Sequence, residues 1–183
     1  MAAKSSTRRK AATPAWVVLK FGGTSVSSVE RWETIATLLR QRLAEGLRPV
    51  VVHSALATVS NKLDELLHRA LEMDVTAQVA GIRELHLRLA AGLQVDGEKE
   101  LGGYFRELEQ LLAGIHLIRE VSPRIQARVM GLGELMATRL GAAYLARVGL
   151  KVTWLDAREL LRSNMPPGTN ERSAWLAANC DFD

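Results

Sequence analysis

Lys20, Gly22, Gly23, Thr24 and Ser25 stand together in the segment WVVLKFGGTSVSSVERWETIATLLRQ, which runs from Trp16 to Gln41. A cation, two glycines and two hydroxyls at this spacing suit an anion. The N–H groups of a glycine loop and the positive end of a following helix dipole converge on one spot. The chemistry would be phosphate binding. Lys20 would neutralise charge on transferring phosphoryl oxygens, while Gly22 and Gly23 let the backbone turn and come close. The G-x-x-x-x-G-K-[ST] order of a Walker A loop is absent. A tight turn with a solvated lysine uses the same residue types, so from chemistry alone both readings stay open.

A second group is His53, Ser54, Thr58, Ser60 and Asn61. Ser54 and Ser60 could hydrogen-bond a small polar substrate or a phosphate oxygen. The alternative is a turn at Ser54 and a helix cap at Ser60 or Asn61. His53 has no carboxylate or cysteine at a useful spacing and reads as a hydrogen-bonded strand histidine. His68, His86 and His116 fall on helical segments without a metal-ligand pattern, so no metal site is expected. Glu134, flanked by Leu132, Leu135 and Met136, could enter a cleft and bind an ammonium group. It could equally be a surface acid in a helix first turn, where the dipole favours it. Trp16, Trp32, Trp154 and Trp175 share no spacing and read as core or interface residues. Arg158 and Glu159 read as a solvated helix face.

The elements that would position these residues follow from periodicity. Val17, Val18 and Leu19 form a short apolar run, as in a buried strand. From Ser28 onward Val29, Trp32, Ile35, Ala36, Leu38, Leu39 and Leu43 fall on a helical period. RPVVVHSA is a second strand, and the next helix carries Leu63, Leu66, Leu67, Ala70 and Leu71 on one face. Val75 to Leu93 and Lys99 to Ile118 show helical spacing, broken by Gly92, Asp96 and Gly97. A further helix starts with Ser122 as cap and Pro123 at its first position, is interrupted at Gly131 and Gly133, and ends at Gly149. LKVTWLD predicts a third strand, ARELLRS a short helix, and Asn164 to Ser173 a loop. Helices joining short apolar strands predict an α/β layered fold with a parallel sheet. In such sheets ligands sit beyond the carboxyl ends of the strands, which gathers the loops after Leu19, Val52 and Trp154.

Composition narrows the class. The chain has 183 residues and a hydrophobic fraction of 48%, enough for a core. No apolar run reaches the roughly 20 residues of a membrane helix, so no membrane partner is expected. The net charge is +4, and Lys4, Arg8, Arg9 and Lys10 all lie in a tail at 1–14 without acidic residues. The rest is nearly neutral and gives no charge argument for nucleic acid. The tail reads as a disordered basic extension, since it lacks aromatic stacking residues. It also lacks the apolar stretch of a secretory signal. Cys180 is the sole cysteine, compatible with a reducing, cytoplasmic compartment.

Four stretches resemble aspartate kinases of the amino-acid kinase superfamily. VVLKFGGTSV resembles their first signature. VVVHSALATVSNKLDELL resembles their S-A-x-x-G-[VI]-T-N segment. GLGELMATRLGAAYL resembles their G-E-x-[ML]-[SA] helix, and WLDARELLRSN their strand and helix with D-A-R. The matches occur in family order from Trp16 to about Asn170.

The resemblance implies a three-layer αβα fold with a mainly parallel sheet, with 15–183 as its N-terminal, substrate-side part and the C-terminal half absent. It implies ATP-dependent phosphorylation of the L-aspartate side-chain carboxylate to 4-phospho-L-aspartate, the entrance to lysine, threonine and methionine synthesis, with Mg²⁺ accompanying ATP. Lys20 would stabilise the transferring phosphoryl group. Phe21, Gly22 and Gly23 would join Lys20 at the nucleotide, and Thr24 and Ser25 would lie beside it. Ser54 and Ser60 would face aspartate, and Glu134 would pair with its ammonium. The complete enzyme would be a homo-oligomer.

Two departures stand out: Thr58 occupies the family's glycine position and Ser60 its threonine. No G-R-G-G-S-D-like segment occurs, so the chain alone is expected to be inefficient as a catalyst. A sheet of about three strands would leave an edge and a face uncovered. Two other classes remain: a kinase for another amino acid such as glutamate, and a non-catalytic binding or assembly module.

Overall fold

The computed structural model describes residues 14–164 and 179–181. The basic tail up to residue 13, the loop beyond Asn164 and Trp175 lie outside the described residues.

Strand β1 (Trp16–Phe21) leads through a 3₁₀ turn (Gly23–Val26) into helix α1 (Val29–Ala44), and α1 returns the chain to strand β2 (Arg48–His53). The strands are parallel, with Trp16 opposite Arg48, Lys20 opposite Val52 and Phe21 opposite His53. Helix α1 begins where Ser28 predicts it, because the Ser28 hydroxyl accepts the Arg31 N–H. Its buried stripe is Trp32, Ile35, Ala36 and Leu39.

Alternation along the strands sorts their side chains. Leu19, Phe21 and Val51 pack against the helical core. Trp16 and Val18 are 67% and 66% exposed, and Val50 and Val52 are 38% and 49% exposed. A strand that is apolar on both faces belongs to a sheet covered on both faces. Among the described residues only one face is covered.

The helical part comprises α2 (Val59–Ala70), α3 (Thr76–Gly92), α4 (Gly97–Ile118) and α5 (Pro123–Arg147). Ser122 accepts the Ile125 N–H and Pro123 opens α5, as the sequence predicts. Helix α5 runs unbroken through Gly131 and Gly133, where an interruption is expected. Close packing explains the glycine at 133. A Cβ there would lie 3.0 Å from the Ala55 Cβ, 3.1 Å from Leu63 and 3.3 Å from Val59. Gly149, at φ +87°, follows the helix end.

The expected third strand is absent: Lys151–Asp156 has no strand pairing. A strand persists where a neighbour satisfies its backbone groups, and β1 and β2 pair with each other. This segment is instead held to α5 through Trp154, whose indole N–H donates to the Thr138 hydroxyl at 3.1 Å. A short helix α6 (Ala157–Leu160) and an antiparallel pair, β3 (Arg162–Asn164) with β4 (Asn179–Asp181), complete the described chain. Arg158 and Glu159 lie exposed on α6, as the sequence predicts, and the Arg158 guanidinium turns back onto the Asp156 carboxylate, a bond that lowers the Asp156 pKa.

His86 of α3 is fully buried. Its Nδ1–H donates to the Ile82 carbonyl at 2.8 Å, its ring meets Phe105 edge-on, and its Nε2 has no partner among the described residues. Burial lowers its pKa from the ordinary value of 6.5, and the same cause lowers that of His53. Below that ordinary value the unfolded chain binds more protons than the folded one, so stability rises with pH there. Denaturant midpoints at about pH 5 and pH 8 are therefore expected to differ, with the lower midpoint in acid. His86→Leu is expected to shrink that difference. An unchanged difference would remove His86 as its source.

Candidate functional site

Lys20 is the penultimate residue of β1 and lies exposed on the open face of the sheet. Phe21, one step on, faces the core instead. The chain then turns through Gly22, whose carbonyl accepts the Ser25 N–H at 2.9 Å. Neither Gly22 nor Gly23 is among the positive-φ residues, so the two glycines are not there for left-handed backbone. Their roles differ. A Cβ on Gly22 would meet nothing within 4 Å, which leaves its backbone approachable. A Cβ on Gly23 would lie 2.7 Å from the Ala55 carbonyl oxygen and 3.3 Å from the Ala57 nitrogen. Packing against the neighbouring loop thus requires a glycine at 23.

That loop follows β2. The Ser54 N–H donates to the Phe21 carbonyl at 3.2 Å, extending the sheet contact past the strand ends. His53 is buried, bonds the Ser54 carbonyl through Nδ1 at 3.0 Å, and meets the Trp32 ring edge-on at 5.3 Å between centroids. It is the hydrogen-bonded strand histidine that the sequence predicts.

Helix α2 then starts two residues earlier than Ser60 capping requires. Its N-cap is Thr58, at φ 70°, ψ −14°, with no side-chain cap bond. Ser60 is the second residue of the helix and Asn61 the third, so neither caps it. Thr58 thus holds a left-handed conformation suited to glycine, at a cost of about 1–2 kcal/mol for a side chain with a Cβ. Thr58→Gly is expected to raise stability by up to about 1 kcal/mol, the strain relieved less the added freedom of the unfolded chain. A lower denaturant midpoint in the variant would contradict this.

The third segment is α5. Glu134 is the residue after Gly133 and is half-buried in mid-helix, not in a first turn. The dipole account of Glu134 therefore fails. The Thr138 hydroxyl donates back to the Glu134 carbonyl at 2.8 Å and accepts from Trp154. Arg139 stacks over the Trp154 ring at 5.5 Å and bonds Glu100 of α4 at 2.9 Å.

Three segments distant in sequence therefore meet at Ala55–Val59: the glycine turn at Gly23, the loop itself, and α5 at Gly133. Neither Lys20 nor Glu134 forms an ion pair with another described residue. Thr24 is exposed, and Ser25, Ser54 and Ser60 are half-buried beside these contacts. The segments that carry Lys20, these hydroxyls and Glu134 thus meet at one backbone junction, and these residue types are able to hold an anion and a small zwitterion. Sequence reasoning missed Ser27, which joins the two loops, and Trp32, which supports them from beneath. Ser27 has no spacing signal among four neighbouring hydroxyls. Trp32 shows only as one member of a helical stripe.

Known proteins resemble this chain in sequence and fold. The family model described as "Amino acid kinase family" matches residues 15–178. Aspartokinase 2, chloroplastic, of Arabidopsis thaliana is 40% identical over 151 residues, covering 78% of this chain and 27% of its own length. Aspartokinase 3, chloroplastic, of the same plant is 38% identical over 148 residues, covering 78% and 26%. The chain thus spans about a quarter of these curated relatives. Among solved structures, E. coli aspartokinase III in complex with aspartate and ADP superposes with a TM-score of 0.70 at 25% identity, over 82% of this chain and 33% of that one. The same enzyme in complex with lysine and aspartate gives a TM-score of 0.71 at 24% identity, over 91% and 35%. A glycine turn, a hydroxyl loop and a carboxylate-bearing helix gathered at one junction are thus part of a kinase fold, and the chain belongs to the amino acid kinase family.

Proposed function

We propose that this segment forms the substrate side of an ATP-dependent aspartate kinase. The reaction is transfer of the ATP γ-phosphoryl group to the L-aspartate side-chain carboxylate, giving 4-phospho-L-aspartate for lysine, threonine and methionine synthesis. The observation that carries it is the convergence of the Lys20 turn, the Ser54–Ser60 loop and the Glu134 helix on Ala55–Val59. The aspartokinase relatives, and a structural neighbour solved with aspartate and ADP, support the choice of substrate.

The chemistry asks little of the protein beyond placement and charge. A carboxylate nucleophile is already ionised at neutral pH, so no general base is needed. Positioning and electrostatic stabilisation do the rest. Lys20 would neutralise charge on the transferring phosphoryl oxygens, and the free backbone at Gly22 would let a phosphate approach. Ser54 and Ser60 would orient the acceptor, with Glu134 on its ammonium. Among the described residues no group of three or more His, Cys, Asp or Glu side chains could hold a metal. An accompanying Mg²⁺ would rest largely on the nucleotide phosphates.

The test is ADP release by the whole protein with L-aspartate or L-glutamate as acceptor. Aspartate-dependent turnover is expected. Turnover with glutamate instead would reassign the substrate. Absence of turnover with either would leave a binding or assembly role.

A further inference from the structure

We propose that Ser27 is the positioning residue that sets the gap between the two loops of the site. The role rests on the kinase reading above. The Ser27 hydroxyl donates to the Gly23 carbonyl at 2.6 Å and accepts the Ala57 N–H at 2.8 Å, across thirty positions of sequence. A hydroxyl carries one proton and two lone pairs, so one side chain satisfies a group on each loop at once. Ser27 is half-buried, and its bonding capacity is directed at backbone rather than outward.

The surroundings make this bond a spacer. On one side, Gly23 already lies against the Ala55 carbonyl with no room for a Cβ. On the other, the Trp32 indole N–H donates to the Val26 carbonyl at 2.9 Å, holding the residue just before Ser27. Trp32 is buried and braced edge-on by His53 and Tyr144. The turn bearing Lys20 to Ser25 and the loop bearing Ser54 to Ser60 are thus clamped at one hydroxyl. A transfer reaction depends steeply on the placement of donor and acceptor, and a misplacement of about 1 Å costs on the order of 10²-fold in rate.

The experiment compares the whole protein with Ser27→Ala and Ser27→Thr in steady-state kinetics. Ser27→Ala is expected to lower kcat/KM for aspartate about tenfold or more, with a raised KM for aspartate and an unchanged KM for ATP. Ser27→Thr, which keeps the hydroxyl, is expected to restore most of the loss. Hydrogen exchange of the Ala57 amide, read on the same proteins, should quicken in Ser27→Ala and recover in Ser27→Thr. If Ser27→Ala does not fold, Ser27→Cys, a weaker hydrogen-bonding group of similar size, is read the same way. Wild-type kinetics in Ser27→Ala would overturn the role while leaving the kinase reading intact. So would a fall in kcat matched by an equal loss of folded protein by circular dichroism, with both KM values and the Ala57 exchange rate of the folded fraction unchanged, since that reports a lower folded fraction. A wild-type protein without aspartate-dependent turnover would remove the kinase reading and this role with it.

Discussion

Lys20→Ala in the whole protein is expected to lower kcat for aspartate phosphorylation by about 10²–10³, the range for losing one group that stabilises developing charge. The side chain is exposed on the open face of the sheet and forms no ion pair among the described residues. Stability should therefore stay within about 0.5 kcal/mol of wild type, as for an ordinary surface substitution. That separation is the diagnostic feature: the rate falls while the melting temperature holds. Lys20→Arg keeps a positive charge but replaces a compact ammonium with a planar fork, so recovery should be partial. Near-wild-type turnover in Lys20→Ala would sink the assignment and leave the lysine as a solvated residue at a turn.

The largest effect on stability is expected at Gly141. A glycine in mid-helix costs about 1 kcal/mol relative to alanine, so Gly→Ala there should ordinarily help. At Gly141 the sign reverses, because a Cβ would overlap the Trp32 ring, reaching 2.7 Å from its Cζ2 and closer still to its Cη2. Trp32 cannot easily yield, being 1% exposed and bonded to the Val26 carbonyl. Gly141→Ala is expected to destabilise by about 3 kcal/mol, at the upper end for an overpacked core. Gly131 of the same helix, where a Cβ meets nothing within 4 Å, supplies the control. Gly131→Ala should stabilise by up to about 1 kcal/mol. Urea midpoints of the two variants moving the same way would refute the packing account.

The glycines of α5 also show what the sequence could and could not disclose. Ser28, Ser122 and Pro123 mark their helix starts by local chemistry, and the structure begins helices at each of these places. Gly131 and Gly133 resemble punctuation to a local rule, yet α5 passes through both. Tertiary packing against Ala55 and Val59 uses the side chain that Gly133 lacks, and no window along the chain reveals a partner almost eighty positions away. The start of α2 was obscured for a related reason. Thr58 takes a backbone conformation that its own type disfavours, so propensity points to the serine and asparagine beyond it. LKVTWLD carries a strand pattern, but its pairing depends on a neighbour that the described residues do not supply. Within the site, residue types disclosed the lysine turn and the hydroxyl loop. The clamp at Ser27 needed coordinates, because a hydrogen bond spanning thirty positions leaves no periodic trace.

The uncovered side of β1 and β2 has a consequence for how such a polypeptide is made. The two strands are adjacent in the chain and joined by a single helix, so their pairing needs only a short loop closure and can form early in synthesis. Trp16, Val18, Val50 and Val52 would then stand exposed to solvent on a nascent chain. Exposed apolar sheet surface is what makes folding intermediates sticky at cellular concentrations. Translation speed and chaperone supply, more than the intrinsic stability of the helical core, should therefore govern the soluble yield of this segment.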